Sequence, residues 1–335
     1  MYKGKKIGVV VPAYEEEGFV GGVIETVPSF VDRVYVVDDG STDNTWREIR
    51  EAARQENDAH ARTLTSGGTA VFERPVVPLR NDRNRGVGGS IKHGYSRALR
   101  DDIDVIAVMN GDGQMDPAIL DRIVDPVVEG RTDFAKGNRL LFREFREGMS
   151  RWRFFGNSLL TLLTKVASGY WKTMDPQNGY TAISAAALET IEYERLYEDY
   201  GFCNDMLIAL NVRDMRVADV AMPARYGEET STIVYSRFVP RLSKLLLGRF
   251  LRRLTVKYLV FDFHPFVFLY ALGALSGALG FAALAGSARR VRRADNAFDR
   301  LLASAMLLVG SAALLVAAMT ADMRENEHLE EQIHE

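Results

Sequence analysis

A single cysteine, Cys203, stands in 335 residues. One thiol excludes an intramolecular disulfide framework, and without a His placed beside it such a residue is more often small apolar filling than a nucleophile. The chain also has no charge excess: formal net charge is -3, so nothing global points to nucleic acid as a partner. It has no long apolar run at its start. The first one, after Lys5-Lys6, is ended by Pro12, which is too early for the core of a signal peptide and reads as a first strand. Nor is there a Walker loop, because the glycine-rich stretch at 84–90 lacks the Gly-Lys-Ser/Thr ending.

The scarcest feature of the C-terminal third is charge. From Phe263 to Ala288, 26 residues carry no Asp, Glu, Lys or Arg, and His264 is the one histidine. From Leu301 to Ala321, 21 residues carry no ionisable group. Each run exceeds the roughly 20 residues that cross a hydrocarbon layer. Two deeply buried core helices are the alternative. Lying side by side and rich in Gly, Ala and Leu, the runs read instead as a transmembrane hairpin. Just before them, Arg237 to Lys257 holds seven basic residues and no acidic one, with Leu242, Leu245, Leu246, Phe250 and Leu254 at helical spacing. That pattern predicts an interfacial helix lying on anionic lipid head groups.

Upstream, strands and helices alternate. Ile7–Val11 and Val34–Val37 are β-branched runs, each followed by a polar exit loop and a helical pattern, and Val217–Met222 is a later strand. Strand, helix, strand, helix at this pitch predicts an α/β fold with a parallel sheet and right-handed crossovers. Residues 55–80 read as a surface loop leading to a short strand near Val76-Val77.

The chemistry sits in polar turns. The run Ile103–Met109 ends abruptly in Asn110-Gly111-Asp112-Gly113-Gln114-Met115-Asp116-Pro117. Open α/β sheets place ligands at strand C-termini. Asp112 and Gln114, two apart, offer hard oxygen donors with no His or Cys nearby, which suits Mg²⁺ or Mn²⁺ held with a phosphate. A helix-capping turn fits the same residues. Gly86, Gly88 and Gly89 at a helix start let backbone N–H groups approach an anion, or serve helix–sheet packing alone. Arg143, Arg146, Arg151 and Arg153, interleaved with aromatics, suit a membrane surface or a phosphorylated lipid, or form a solvated basic face. Asp205 is a candidate carboxylate and equally a helix cap.

Together the turns resemble a family. Val-Pro-Ala-Tyr-Glu-Glu (11–16), Val-Asp-Asp-Gly-Ser-Thr-Asp (37–43), Asn-Arg-Gly-Val-Gly-Gly-Ser (84–90), Asn-Gly-Asp-Gly-Gln (110–114), Gly-Asn-Arg (137–139) and Asp-Pro-Gln-Asn-Gly-Tyr (175–180) follow the order of family 2 glycosyltransferases of the GT-A fold. The nearest resemblance is to polyprenyl-phosphate (dolichyl-phosphate) glycosyltransferases with a C-terminal two-helix anchor. It implies a Rossmann-like GT-A domain at 1–232, basic amphipathic juxtamembrane helices at 233–260, a transmembrane hairpin at 261–322 and an acidic tail at 323–335. It also implies that Pro12, Tyr14, Glu16 and Asp39 line the base and ribose, and that Asn84, Gly86 and Gly88 frame the nucleotide-sugar pocket. Asp112 and Gln114 would hold the divalent ion, with Asn110 beside them. Arg139 would face phosphate, Gln177 the sugar, Arg153 and Asn157 the lipid phosphate, and Arg225 and Ser231 the diphosphate. The implied partners are a UDP- or GDP-linked sugar, a polyprenyl phosphate and membrane lipid; a homo-oligomer is compatible. The implied location is a prokaryotic cell membrane, multi-pass, with the catalytic domain cytoplasmic.

Two departures stand out. The family's Asp-x-Asp is Asn110-Gly111-Asp112 here, and the Lys of its Gly-x-Ser-Lys loop is Thr232, so that Arg225 or Arg237 is left to supply the charge. Because a lipid phosphate is already anionic, Asp205 is expected to position first and act as a base second. Two spans would return the tail to the catalytic side, yet place Arg289, Arg290, Arg292, Arg293 and Arg300 outside, against the positive-inside tendency; the seven basic residues before the first span narrowly outweigh these five. Rival readings are a transferase acting on a polysaccharide or soluble acceptor, though the processive Gln-x-x-Arg-Trp motif is incomplete at Arg151-Trp152, and a silent nucleotide-sugar-binding membrane protein, prompted by Asn110.

Overall fold

A computed structural model of the chain describes residues 1–65, 71–140, 151–223, 235–290 and 297–334. They form two compact units: Met1–Phe250 together with His328–Glu335, and Leu251–Glu327.

The first unit is built on one sheet. In chain order its strands are β1 (Ile7–Ala13), β2 (Arg33–Asp38), β3 (Val76–Arg80), β4 (Val105–Val108), β5 (Phe134–Asn138), β6 (Thr181–Ser184), β7 (Val217–Ala221) and β8 (Glu330–Ile333). Their spatial order is β3-β2-β1-β4-β6-β5-β7-β8. All neighbours are parallel except β6, which runs antiparallel to both β4 and β5. The predicted parallel α/β core is therefore present, with β6 inserted into it. Strand order reverses at β1, between β2 and β4, and a crevice opens at such a switch point beyond the strand C-termini.

Both faces are covered, which is why the strands read as unbroken apolar runs. Val9, Val11, Val36 and Ala107 point to one face, under α1 (Val20–Thr26), α2 (Thr45–Thr65) and α4 (Leu120–Val128). Val10, Val37, Ile106 and Val108 point to the other, under α3 (Val87–Arg100), α6 (Ala185–Thr190) and α7 (Phe202–Val212). Each of the Val and Ile side chains contributes about 1.5–3 kcal/mol on burial. Contact on the second face is close: a Cβ on Gly94 of α3 would lie 2.4 Å from Val10 Cγ1. Helix α5 (Arg151–Ser168) and the first half of α8 (Tyr235–Thr255) join α7 through Ala167, Ile208, Leu242 and Leu246.

The C-terminus is divided differently from the sequence expectation. Helix α10 (Ala297–Asn326) continues past 322, and the segment expected to stand apart as an acidic tail returns to the sheet: Leu329 enters the core, and β8 pairs with β7 in the register Val217↔Glu330.

In the second unit, α9 (Val267–Arg290) and α10 are each long and apolar enough to cross a membrane. Gly273, Gly277 and Gly280 of α9 admit Leu315, Ser311 and Leu308 of α10, and Ser311 Oγ donates to the Gly273 carbonyl at 2.7 Å. Small residues spaced in this way let membrane helices approach closely. Arg253 and Lys257, read from sequence as facing lipid, are buried instead. Arg253 Nη2 lies 2.6 Å from Asp322 Oδ2, and Lys257 Nζ lies 2.7 Å from Asn326 Oδ1. A buried cation needs a partner, and α10 supplies both. The Arg289–Arg293 loop falls largely outside the described residues.

Candidate active site

Three exit loops meet at the switch point. The β1 loop and the β2 loop are laced together: Glu15 N–H donates to Ser41 Oγ at 3.0 Å, Glu16 N–H to Thr45 Oγ1 at 2.8 Å, and Thr42 N–H to a Glu15 carboxylate oxygen at 2.9 Å. Glu15 adopts a left-handed backbone (φ 58°) to make this turn, leaving Tyr14 exposed and Pro12 buried. The β4 loop folds onto the first, with Gly111 N–H donating to the Pro12 carbonyl at 3.0 Å; a Cβ on Gly111 would crowd Ala13.

Asp112 is the carboxylate of this corner. Gln114 N–H donates to its Oδ1 at 2.9 Å, closing the short turn that the glycines allow. Burial pushes the Asp112 carboxyl up, partly offset by the Gln114 N–H, the Asn110 amide and the nearby Arg139 charge. Asn110, where the resemblance leads one to expect an acid, thus hydrogen-bonds to the remaining carboxylate.

Arg139, at the end of β5, is fixed by a partner that sequence reading missed. Its Nε and Nη2 donate to Asp175 at 2.7 and 3.1 Å, a bidentate pair. Burial pushes the Asp175 carboxyl up, but the Arg139 and Lys136 charges and hydrogen bonds outweigh it and hold the group below the usual range. Asp175 is itself left-handed (φ 49°) and buried. The Asp175–Tyr180 loop then packs on the β4 loop: Tyr180 Oη donates to the Asp116 carbonyl at 2.9 Å, and Gly179 leaves room for Asn110. Gln177 donates to Asn204 of α7, which donates to Thr164 at 2.7 Å.

Asp39 does something other than leave an open acid. Its carboxylate accepts from Asn81 Nδ2 at 2.7 Å, Arg85 N–H at 2.9 Å and Gly86 N–H at 2.8 Å. It therefore holds the Asn84–Ser90 loop, whose N–H groups at 85 and 86 are already occupied. A Cβ on Gly86 or Gly88 would lie 2.5 or 2.6 Å from the Glu198 or Tyr197 carbonyl, so close backbone approach is what requires those glycines. Asn81 also meets His93 Nδ1 at 2.8 Å, in a cleft of about 700 Å³ lined by Arg80, Arg83, Arg85 and Lys92.

Asp205 lies within the first turn of α7, whose N-cap is Gly201. It is 1% exposed, accepts the Tyr197 N–H at 2.9 Å and pairs with Arg249 of α8 at 2.8 Å. That geometry holds helices together. It also turns a third member of the basic run, Arg249, toward protein. Arg225 and Ser231 lie outside the described residues, as do the side chains of Arg153 and Asn157 in α5. Asp112, Gln114, Arg139, Asn110 and Gln177 are thus brought to one corner, and Pro12, Tyr14, Glu16 and Asp39 to the adjoining loops.

Residues 8–192 match the family described as Glycosyl transferase family 2. The chain belongs to it. Among relatives of this glycosyltransferase is the UDP-N-acetylglucosamine–dolichyl-phosphate N-acetylglucosaminyltransferase of Methanococcus voltae, 25% identical over 74% of this chain and 98% of the relative. Another is the dolichol-phosphate mannosyltransferase of Pyrococcus furiosus, 22% identical over 66% of this chain and 56% of that protein. In fold, the family 2 chain is similar to glucosyl-3-phosphoglycerate synthase of Mycobacterium tuberculosis, solved with Mn²⁺, UDP and glucosyl-3-phosphoglycerate. The TM-score is 0.50, with 19% identity over 75% of this chain and 80% of the other.

Proposed function

We propose that this enzyme moves a sugar, with inversion, from a nucleotide sugar to a polyprenyl phosphate at a membrane surface. The observation that carries the reading is the corner itself: a half-buried carboxylate, Asp112, beside an arginine that Asp175 locks in place, at the switch point of a family 2 sheet. The two apolar helices and the dolichyl-phosphate acceptors named for two relatives support a lipid acceptor and a multi-pass membrane location.

The donor set fits Mg²⁺ or Mn²⁺. Asp112 and Gln114 are hard oxygen donors of the kind that hold such an ion together with diphosphate oxygens. When bound there, such an ion spreads the charge that develops on the leaving diphosphate. The chain's own groups do the rest. The laced β1 and β2 loops hold the nucleoside. Arg139 sets positive charge where two anions, diphosphate and lipid phosphate, must come together. Gln177, tied to Asn204, orients the sugar. The acceptor needs no strong base, and Asp205, consumed by Arg249 and the Tyr197 N–H, is a positioning group.

The test is incubation of the full chain in detergent with labelled UDP-N-acetylglucosamine, UDP-glucose or GDP-mannose and a polyprenyl phosphate, followed by lipid extraction. Label should enter the lipid phase with one donor and depend on Mg²⁺ or Mn²⁺. No lipid label with any donor would overturn the reading. Asp112→Ala should lower transfer by about a hundredfold or more; retained activity at saturating cation would remove Asp112 from its role.

A further inference from the structure

Strand β8 opens, beside the first residue of β7, with a carboxylate that grips the segment leading into the Asp175–Tyr180 loop. Glu330 lies across three consecutive backbone donors. Trp171 N–H reaches its Oε1 at 2.7 Å; Lys172 N–H and Thr173 N–H reach its Oε2 at 2.7 and 2.9 Å, and the Thr173 hydroxyl adds a contact at 3.2 Å. Successive N–H groups converging in this way form an anion nest. Here the anion comes from the chain itself, delivered from beyond the two apolar helices.

The segment it holds has no ladder of its own. From Trp171 to Asn178 the backbone is irregular, and side chains from elsewhere hold it residue by residue. Lys165 Nζ donates to the Trp171 carbonyl at 2.5 Å. Met174 N–H donates to Asp219 at 3.2 Å, and its carbonyl accepts from Lys136. Next come left-handed Asp175, paired with Arg139, and then Gln177. Glu330 supplies three of the anchors at the start of this run, and Asp175 and Gln177 follow two and four residues after its last contact.

We infer that Glu330 is a positioning residue: by filling the Trp171–Thr173 nest it sets the entry of the loop that presents Asp175, and hence Arg139, and Gln177 to the substrates. The tail after the apolar hairpin is on this account a working part of the active site. This rests on the proposed roles of Arg139 and Gln177. Glu331, next along β8, serves as contrast: it pairs with Arg131 at the exposed rim and touches none of this segment.

The experiment uses the full chain in detergent, with Glu330→Ala, Glu330→Gln and Glu331→Ala. Amide hydrogen exchange is read first, because it needs no activity. Glu330→Ala should speed exchange across 171–178 by about tenfold or more while β7 (217–221) stays protected. In the transfer assay, kcat should fall about tenfold or more with nucleotide-sugar KM changed less than about threefold, since misplacing a loop by about an ångström costs rate before it costs nucleoside contacts. Glu330→Gln, which keeps one acceptor oxygen, should fall between, and Glu331→Ala should match the parent in both readouts. Unchanged exchange at 171–178, equal acceleration in β7, or equal kcat for Glu330→Ala and Glu331→Ala would each overturn the inference. If the parent chain transfers no sugar, the proposed function fails, while the exchange result still judges the clamp.

Discussion

Asp175 shows how the site is held at the scale of one side chain. It is buried, sits in a backbone region that disfavours it by about 1–3 kcal/mol, and is kept ionised by Arg139 and Lys136. A carboxyl whose folded pKa is lowered stabilises the fold above its unfolded value, near 3.9, and that contribution disappears as pH falls through the folded value. Asp175→Asn should therefore cost on the order of 3 kcal/mol at neutral pH and flatten the acid limb of stability below about pH 4; denaturation midpoints taken across pH would show it. Cys203 gives the opposite case. Burial pushes its thiol up to about 11, so iodoacetamide at pH 7.5 should alkylate the folded chain about a hundredfold more slowly than the unfolded one. Cys203 is half-buried against the core beneath α7, and equal labelling rates for the folded and unfolded chain would contradict that placement. Legibility at this scale was uneven. Asp112 was visible because an apolar run ends at it. The Asp175–Arg139 pair was not, because its members are 36 residues apart and no periodicity joins them.

At the scale of elements, β1, β2 and β4 could be read directly, since strands buried on both faces are written as continuous Val, Ile and Ala. Strands β6 and β8 could not. Thr181–Ser184 is four residues long, and Ser184 at once caps α6, so it reads as the lead-in to a helix. Glu330–Ile333 is polar because it lies at the sheet edge, where charge also guards against stray pairing. The basic run 237–257 carried the right helix and misassigned several of its charges: Arg249, Arg253 and Lys257 answer to Asp205, Asp322 and Asn326, partners that only the fold reveals. The α9–α10 contact makes its own prediction. A Cβ on Gly277 would sit 2.8 Å from Ser311 Oγ, whereas one on Gly286 would meet nothing within 4 Å. Gly277→Leu should lower the midpoint of SDS-induced unfolding by an amount equivalent to about 1–3 kcal/mol, and Gly286→Leu should leave it unchanged. Equal effects would mean that the helices do not pack through this stripe.

At the scale of the molecule, the chain leaves the sheet-containing unit at Leu251 and re-enters it at His328, with two apolar helices between. If both helices cross the bilayer, the departure and return points share one side, and only the turn between the helices lies opposite. A reporter fused at Asn296 should then read opposite to one fused at the N-terminus; the same side for both would rule out a two-span hairpin. Protein synthesis gives the return a further meaning. The ribosome makes β7 long before β8, and both apolar helices emerge in the interval. Until they have been dealt with, β7 waits as an unpaired sheet edge in the nascent chain, open to wrong partners. Completion of the catalytic sheet thus follows synthesis of the apolar segment, and if that segment is a membrane hairpin, its insertion falls in the interval when the β7 edge is still open.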